Sequence, residues 1–393
     1  MHRAIESRPF GAEDQDASRR AYASSARVIE LRPCFPGAMH RAIESRPFGA
    51  EPNEATMKRC GNLFERVVDF NNLTLAAKKA FRGHRNTTEV ARFYFHLETE
   101  IFRLQQELIA GVYNPRPLHS FEIFEPKRRL ICAAHIRDRI THHAICNVME
   151  PIFERTLIFD TYACRRGKGT HAAIERAQQF ARRATCFAKC DIRKYFASID
   201  RVILKRLLRR KIKDARLLQL LDSIIDQPVP ESQAGRGMPI GNLTSQHFAN
   251  FYLTELDHYI KERLRVKGYL RYMDDFLIFG WDKGELKKAI STIRIFLKER
   301  LSLELKEETL RLAPVRVGFE FLGFRVFPNL IRVDRKKWTR FKRKVRNLES
   351  AYLQSEMSES ELAMRVSSRV AHLLHADTLA ARRKFFELSL RLG

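Results

Sequence analysis

The stretch "RYMDDFLIF", residues 271–279, places two adjacent aspartates between apolar neighbours. Ionised carboxylates are costly to bury unless they are paired or bound to metal, so Asp274 and Asp275 require an explanation. A hairpin turn explains them in part, because aspartate favours turns and both flanks resemble β-strands. A pattern of four residues is weakly specific, and it leaves both a structural turn and a metal-binding site open.

A third carboxylate favours the metal-binding interpretation. Asp191 follows the apolar stretch "CFAKC" (186–190) much as Asp274 follows an apolar strand. Acidic strand ends can converge on one sheet, and carboxylates provide the oxygen ligands that Mg²⁺ prefers. Two such ions about 4 Å apart support phosphoryl transfer. We therefore predict that Asp191, Asp274 and Asp275 form a catalytic set for two Mg²⁺ ions, with Mn²⁺ as a substitute, whether or not they also form a turn.

The composition predicts a nucleic-acid partner. The chain has 393 residues, a net charge of +26 and a sequence pI of about 10.1. Such an excess of positive charge indicates a polyanion, with nucleic acid ahead of anionic membrane. The sequence has no apolar run of roughly 20 residues for a spanning helix, and its start lacks the apolar region of a secretory signal. The seven cysteines are scattered, which favours reduced thiols, and we expect a cytoplasmic protein without membrane contact.

The segment "CAAHIRDRITHHAIC", residues 132–146, leaves a structural zinc site open as an alternative. Its cysteines and histidines have spacings near those of a zinc finger, but the intervening strands of a finger are missing. An apolar stripe through the segment favours a packed helix instead.

The order of predicted elements indicates the α+β class, with helices alternating with strands of an antiparallel sheet. The segment "MHRAIESRPFGAE" at residues 1–13 recurs unchanged at 39–51, and residues 1–56 have the polar composition of a disordered extension. Periodicity and turn residues then predict the folded elements. They are a helix capped by Asn86-Thr87-Thr88, a hairpin turning at Pro126-Lys127, helices at 136–155, 169–183, 243–265 and 284–300, and a strand pair around "LELKEE" (303–308) and "FEFLGFRVF" (319–327).

Over residues 60–330 the chain resembles a reverse transcriptase, because it carries that family's motifs in order. The matching blocks are "PKRRLICAAHIRDRITHHAIC", "YACRRGKGTHAAI", "CDIRKYFASID", "GMPIGNLTSQHFANFYLTELD", "RYMDDFLIF" and "FEFLGFRVF". The resemblance implies an RNA-directed DNA polymerase with a right-hand polymerase fold. It places the fingers at 57–185, a palm with an antiparallel sheet and interleaved helical segments at 186–328, and a basic helical thumb at 329–393.

The resemblance also implies roles for individual residues. Asp191 and Asp274 bind both metal ions, Asp275 has a less direct role, and the backbone carbonyl of Ile192 is a further ligand. Phe196 matches the steric gate that excludes a ribose 2′-OH, although an ordinary core phenylalanine is the alternative. The implied nucleotide-binding residues are Lys127, Arg128, Arg129, Phe196, Ile240, Gly241 and Gln246. Which of the two arginines contacts the triphosphate is left open.

A second implied set binds nucleic acid. Its members are Arg165, Lys168, Gly323, Lys336, Lys337, Trp338, Arg340, Lys342, Arg343 and Lys344. The stretch 335–346 interleaves basic residues with Trp338 and Phe341, which is typical of surfaces that follow a phosphate backbone. A solvated basic helix face with two core aromatics is the alternative.

Two departures from the family pattern refine the expectation. Many reverse transcriptases have Gln-Gly where this chain has Ile240-Gly241, and the change resembles the enzymes of diversity-generating retroelements. That resemblance implies error-prone copying, above all opposite template adenines, of a template-repeat RNA into a cDNA–RNA duplex from dNTPs. It also implies a small, basic, helical accessory protein that forms a pentamer. The second departure is Glu308 before Thr309, where the family often has a lysine; Lys306 is the nearest substitute.

Two other functions remain open at this point. One is an antiphage-defence or retron-type reverse transcriptase with its own noncoding RNA. The other is an RNA-binding scaffold that has lost catalysis, against which the intact aspartate set argues.

Overall fold

A computed structural model describes residues 59–83, 87–124 and 128–390, with side chains to residue 387. The predicted disordered extension at 1–56 with its repeat, the capping residue Asn86, the turn at Pro126-Lys127 and the candidate site residue Lys127 lie outside these residues.

The described elements follow in chain order. The helices are α1 (Phe64–Val68), α2 (Phe70–Ala80), α3 (Thr88–Phe95), α4 (Leu97–Ile109), α5 (Ile136–Thr156), α6 (Thr170–Ala181), α7 (Tyr195–Ser198), α8 (Arg201–Lys211), α9 (Ala215–Ile225), α10 (Leu243–Tyr252), α11 (Thr254–His258), α12 (Lys283–Leu301), α13 (Arg335–Leu353), α14 (Glu359–Ala371) and α15 (Leu379–Leu390). The strands are β1 (His119–Ile123), β2 (Arg129–Ala133), β3 (Cys186–Asp191), β4 (Gly268–Tyr272), β5 (Asp275–Gly280), β6 (Arg311–Pro314), β7 (Phe319–Phe321), β8 (Phe324–Val326) and β9 (Ile331–Val333).

A four-stranded antiparallel sheet in the order β4-β5-β3-β6 organises the molecule. Strand β5 is an almost continuous apolar run, and both of its faces are covered. Phe276 and Ile278 of β5 join the larger core, which contains residues of α5, α10 and α12. Leu277 and Phe279 alternate to the opposite face and join a second core with α6 and the β7–β8 hairpin. The predicted α+β class with an antiparallel sheet is confirmed.

Aspartates begin several of the helices. Asp200, Asp214, Asp282 and Asp334 each accept a hydrogen bond from a backbone N–H in the first turn of the following helix. Such caps satisfy donors that the helix itself leaves unpaired. They fix where α8, α9, α12 and α13 start, and therefore the lengths of the loops around the sheet.

Two predicted elements differ in the structure. The single helix expected at 243–265 is divided into α10, α11 and a π-helical turn at Tyr259–Arg263. "LELKEE" does not form a strand: it makes one bridge, between Leu305 and Ile192, and then a 3₁₀ turn at Glu307–Thr309. The edge strand is β6, which pairs with β3 and ends at Pro314, as suits a proline at a sheet edge.

The C-terminal part combines the β7-β8-β9 sheet with helices α13, α14 and α15. Phe341 and Val345 of α13 pack against Leu373 and against Phe385 of α15 in a third, smaller core. Among the described residues, no helix is both long enough and apolar enough to cross a membrane.

Candidate active site

Strand pairing brings the three aspartates to one end of the sheet. Asp191 is the last residue of β3 and lies directly opposite Asp275, the first residue of β5. In the β4–β5 hairpin Tyr272 pairs with Asp275, so Met273 and Asp274 form the tight turn between the strands. Met273 has a φ of 57°, a left-handed conformation that is uncommon for a residue with a side chain. Residues 272–275, which contain two of the three predicted catalytic aspartates, are called the catalytic turn below.

The environment of the catalytic turn disfavours negative charge. Burial, and next the neighbouring Asp191, raise the pKa of Asp274 to about 6, although Arg129 and Arg271 act in the opposite direction. Burial likewise raises the pKa of Asp275 to about 7, against the opposing effect of Lys189. The Lys189 ammonium is 3.4 Å from Asp275 Oδ2, while the buried Oδ1 has no hydrogen-bond partner among the described residues.

These features fit a divalent cation. The donors are hard carboxylate oxygens, one of them buried without a partner, and a bound cation would relieve their mutual repulsion. In the described part of the chain, no three His, Cys, Asp or Glu side chains form a metal-binding group by themselves. Mg²⁺ commonly keeps several waters and takes substrate phosphates beside one or two carboxylates. The residues that we predict to hold it are Asp191 and Asp274, with Asp275 and the Ile192 carbonyl as further candidates.

Arg128, just before β2, and Arg129, its first residue, are the two candidate triphosphate-binding arginines, and they have different surroundings. Arg128 is exposed and forms an ion pair with Glu122 on β1, with its Nε 3.0 Å from Glu122 Oε1. Arg129 is exposed, and its positive charge lowers the pKa of Asp274. Arg129 therefore lies within electrostatic reach of the catalytic turn, while the guanidinium of Arg128 already has a carboxylate partner.

The loop before α10 docks onto β2. The N–H of Cys132 donates to the Ile240 carbonyl at 2.8 Å, and the N–H of Ala134 donates to Asn242 Oδ1 at 3.1 Å. Gly241 has a φ of +119°, and a Cβ there would lie 2.9 Å from Ile131 Cγ2. Only glycine fits this conformation and this close approach. The loop thus places half-buried Ile240 beside the strand that begins with Arg129.

Phe196 and Gln246 are both partly buried. Phe196 packs against the larger core and meets Tyr195 edge to face, with ring centroids 5.8 Å apart. Its carbonyl accepts the N–H of Met238 at 2.8 Å, which joins α7 to the Ile240 loop. Gln246 Oε1 lies 3.6 Å from Cys164 Sγ. The steric-gate role of Phe196 stays a prediction, since both packing and gating agree with partial burial.

Arg165 and Lys168 bind protein groups. The Arg165 guanidinium contacts Glu154 and the carbonyls of Ile158 and Thr161, and the side chain is 7% exposed. The Lys168 ammonium is 3.5 Å from the centroid of the Phe159 ring. These contacts hold together the loop between α5 and α6, and they leave Arg165 little surface for nucleic acid.

Some of the predicted nucleic-acid-binding residues in the C-terminal part pack inside the protein, and others are exposed. Trp338 stacks on Phe341 with ring centroids 5.3 Å apart, so it packs against the third core. This agrees with the alternative in which the two aromatic residues of this helix are core residues. Gly323 has a φ of +80°, and a Cβ there would lie 3.3 Å from Lys337 Cδ. The Lys337 ammonium lies over the Phe324 ring at 3.8 Å. Lys336 and Arg343 are exposed, and Arg340, Lys342 and Lys344 are half-buried.

The segment after α12 approaches Asp191 through its backbone. The N–H of Lys306 donates to the Asp191 carbonyl at 2.8 Å, and the N–H of Arg193 donates to the Glu304 carbonyl at 2.9 Å. Glu308 forms an ion pair with Arg193 at 2.9 Å. The backbone of Lys306 is thereby held next to Asp191, and Glu308 is occupied by a neighbouring arginine.

The zinc alternative is not supported. His142 is fully buried in α5. Cys146 is also buried in α5, and Cys132 lies on β2. The described residues contain no metal-binding group of three or more such side chains.

Sequence reasoning missed a buried polar network beneath the catalytic turn. It consists of Asn250 on α10, Asp257 on α11, and Tyr269 and Arg271 on β4. An arginine and an aspartate inside apolar segments were the available signal. Their pairing could not be read from the sequence, because α11 and β4 meet only in the folded chain.

Comparisons with known proteins agree with this geometry. Residues 124–326 match the family described as "Reverse transcriptase (RNA-dependent DNA polymerase)". The chain is 26% identical to protein YkfC of Escherichia coli K12 over 305 residues, covering 67% of this chain and 80% of YkfC.

It is also 23% identical to the group II intron-encoded protein LtrA of Lactococcus lactis subsp. cremoris over 296 residues, covering 58% of this chain and about half (49%) of LtrA. A structure of Candida albicans telomerase with the TWJ fragment of telomeric RNA aligns with a TM-score of 0.42 at 9% identity, covering 59% of this chain and 51% of that one. From the family match and the motif order, the chain belongs to the reverse transcriptase family and has its right-hand polymerase fold.

Proposed function

We propose that this RNA-directed DNA polymerase extends a primer at the catalytic turn, where the primer 3′-OH attacks the α-phosphate of a dNTP and pyrophosphate leaves. The observation that carries the proposal is the register of β3 and β5, which sets Asp191 opposite Asp275 and beside Asp274. Mg²⁺ bound there would stabilise the charge that develops on the attacking and leaving oxygens. The aspartates would hold and orient those cations, and their strands keep the aspartates in position.

We assign the incoming triphosphate to Arg129 rather than Arg128. The charge of Arg129 already acts on Asp274, whereas Arg128 pairs with Glu122. Arginine donors neutralise phosphate charge through paired hydrogen bonds. Phe196 would then exclude the 2′-OH of a ribonucleotide. Ile240 and Gly241, held on β2, would border the nascent base pair.

We assign binding of the template–primer duplex to α13 and its neighbours. The net charge of +26 favours phosphate contacts, and Lys336 and Arg343 on α13 are exposed. Trp338 would act by supporting this helix from within the third core. The proposed divisions are fingers at 57–185, palm at 186–328 and thumb at 329–393.

The finer function that we favour is mutagenic copying of a template-repeat RNA for a diversity-generating retroelement. Ile240 supports it, because a branched apolar side chain replaces an amide donor at a position bordering the proposed nucleotide site. Loss of that donor would loosen the check on base-pair geometry. A small basic accessory protein belongs to the same proposal.

A second candidate is a reverse transcriptase that serves one dedicated structured RNA without mutagenesis, as in retron, defence or intron systems. The likeness to LtrA, a group II intron-encoded protein, favours this candidate. Both candidates require the same catalytic turn, so they differ in the RNA and in the errors of the cDNA.

One experiment separates them. The protein is purified with its bound nucleic acid, and the RNA and any attached cDNA are sequenced for the natural chain and for Ile240→Gln. Errors concentrated at template adenines, and reduced by Ile240→Gln, support mutagenic copying. Faithful cDNA from a single noncoding RNA in both proteins supports the second candidate. RNA without cDNA, even when dNTPs and Mg²⁺ are supplied, contradicts polymerisation.

A further inference from the structure

A buried ion pair lies directly beneath the catalytic turn. The side chains of Arg271 and Asp257 are both 0% exposed, and they meet in a two-point contact of 2.7 and 2.6 Å. The Tyr269 hydroxyl donates to the same carboxylate at 2.6 Å. Together with Asn250, these residues are called the brace below.

The Arg271 guanidinium uses all of its N–H donors within the brace and the turn. Nε and one Nη2 hydrogen serve Asp257, Nη1 donates to Asn250 Oδ1 at 2.9 Å, and Nη2 donates to the Asn250 carbonyl at 3.1 Å. The last bond runs from Nη1 to the carbonyl of Met273, at 3.0 Å. Five hydrogen bonds match the five N–H donors of a guanidinium, and one of them holds the residue that precedes Asp274.

The brace also joins the turn to the loop that follows α5. The N–H of Arg271 donates to the Asp160 carbonyl at 2.9 Å, and its own carbonyl accepts the N–H of Tyr162 at 3.0 Å. Asn250 Nδ2 donates to the Ala163 carbonyl at 2.9 Å. The edge of β4 that does not pair with β5 is therefore covered, and Arg271 is held both by the brace and by this loop.

Stability alone does not account for this arrangement. Removing two charges from water costs several kcal/mol each, and apolar replacements of buried ion pairs are often as stable. The best-attested benefit of such a pair is to fix a register or a conformation. Here the conformation at stake is the left-handed backbone of Met273, which needs its surroundings to hold it.

We propose that Arg271, held by Asp257, Tyr269 and Asn250, is a positioning residue that holds the catalytic turn in the geometry needed to bind a divalent cation. The inference rests on the proposed function of that turn. Arg271 would act through the Met273 carbonyl, without touching the substrate itself.

Arg271→Lys tests the proposal. Lysine keeps the charge for Asp257 but has three donors on one nitrogen in place of five on a planar fork, so it cannot keep all five hydrogen bonds to Asp257, Asn250 and Met273. The matched control is Arg176→Lys, which alters an arginine that contacts Asp160 in two places and whose described bonds lead to Asp160 and Gln179. Tyr269→Phe is a milder second variant, because it removes one bond to Asp257 and leaves Arg271 intact.

Two measurements follow in the full-length protein. The first is hydrogen exchange of the peptide containing 272–276 without metal, and the second is Mn²⁺ binding by magnetic resonance. For Arg271→Lys we expect exchange of the turn amides to quicken roughly tenfold and Mn²⁺ affinity to fall roughly tenfold, with Tyr269→Phe between it and the natural protein. Arg176→Lys should match the natural protein in both.

The proposal is overturned if Arg271→Lys, or Tyr269→Phe where the lysine variant does not fold, lowers thermal stability but leaves exchange and Mn²⁺ affinity unchanged. Primer extension by the natural protein is measured in parallel. No extension by the natural protein would contradict the proposed function, whereas extension together with unchanged exchange and Mn²⁺ binding in the variants would contradict only the role of Arg271.

Discussion

At the residue scale, the two adjacent aspartates of the turn have different neighbours. The charges of Asp191 and Arg129 act on the pKa of Asp274, whereas Asp275 lies beside Lys189 of β3. The sequence predicted that the carboxylates converge, because Asp191 and Asp274 each follow an apolar strand. It could not predict the Lys189 contact, which depends on the register that pairs Asp191 with Asp275.

The raised pKa of Asp275, about 7, predicts a pH-dependent stability. Because the folded pKa exceeds the ordinary value of 3.8, this carboxyl adds stability that is complete below about pH 4 and is lost as the pH rises through about 7. The unfolding free energy of the metal-free protein, relative to that of Asp275→Asn, should therefore fall from about pH 4 to about pH 8. Urea unfolding in chelator measures it, and a difference that stays constant across this range contradicts the assignment.

Phe196→Ala tests the steric gate. If the ring borders the sugar, its removal should raise ribonucleotide incorporation relative to deoxynucleotide incorporation by about 10- to 100-fold, the range that pocket contacts give. Single-nucleotide extension with dATP and ATP measures the ratio. Tyr195→Phe, which removes a buried hydroxyl bonded to the Ala249 carbonyl, is the control for disturbance of α7. An unchanged ratio with lower stability would make Phe196 a core residue only.

At the element scale, the β4–β5 hairpin and several of the long helices could be predicted because their patterns are local. The helix expected at 136–155 is α5, Ile136–Thr156, and that expected at 284–300 is α12, Lys283–Leu301. Strand β6 escaped prediction because four residues ending in proline carry little pattern of their own. Only pairing with β3 makes them a strand. The contact of Arg271 with Asp257 could not be predicted for the same reason, because it too forms only in the folded chain.

The docking of the Ile240 loop on β2 predicts the effect of Gly241→Ala. A Cβ at this φ of +119° would lie 2.9 Å from Ile131 Cγ2, so the loop must move away from β2. We expect the KM for dNTP to rise roughly tenfold, with a smaller change in template–primer affinity. Steady-state extension and a filter-binding titration measure the two. Gly111→Ala, also at positive φ but in open space, is the control for backbone strain.

At the scale of the whole molecule, a net charge of +26 must be distributed over surfaces as well as ion pairs. Part of it is internal: Lys205 and Arg209 of α8 pair with Asp226 and Asp222 around α9. The basic appearance of α8 in the sequence therefore overstates its free charge. On helix α13, the exposed Lys336 lies one turn from the half-buried Arg340.

Removing two positive charges from α13 should weaken the salt dependence of duplex binding. In Lys336→Gln/Arg340→Gln the slope of log affinity against log salt should decrease by about 0.7 to 0.9 for each phosphate that the helix no longer neutralises. Fluorescence anisotropy with an RNA–DNA duplex at several salt concentrations measures it. Lys298→Gln, an exposed lysine at the end of α12, should leave the slope unchanged. Equal slopes for all three proteins would remove α13 from the duplex-binding surface.

RNA-templated extension of a DNA primer tests the central claim most directly. It compares the natural protein with Asp274→Asn, and with Asp282→Asn as a control for the same chemical change at the N-terminus of α12. We expect the natural protein and Asp282→Asn to make DNA with Mg²⁺. Asp274→Asn should lose at least about 10³-fold in rate, since metal stabilisation is worth several kcal/mol. Extension by Asp274→Asn at the natural rate, or no extension by the natural protein with either Mg²⁺ or Mn²⁺, would contradict the account.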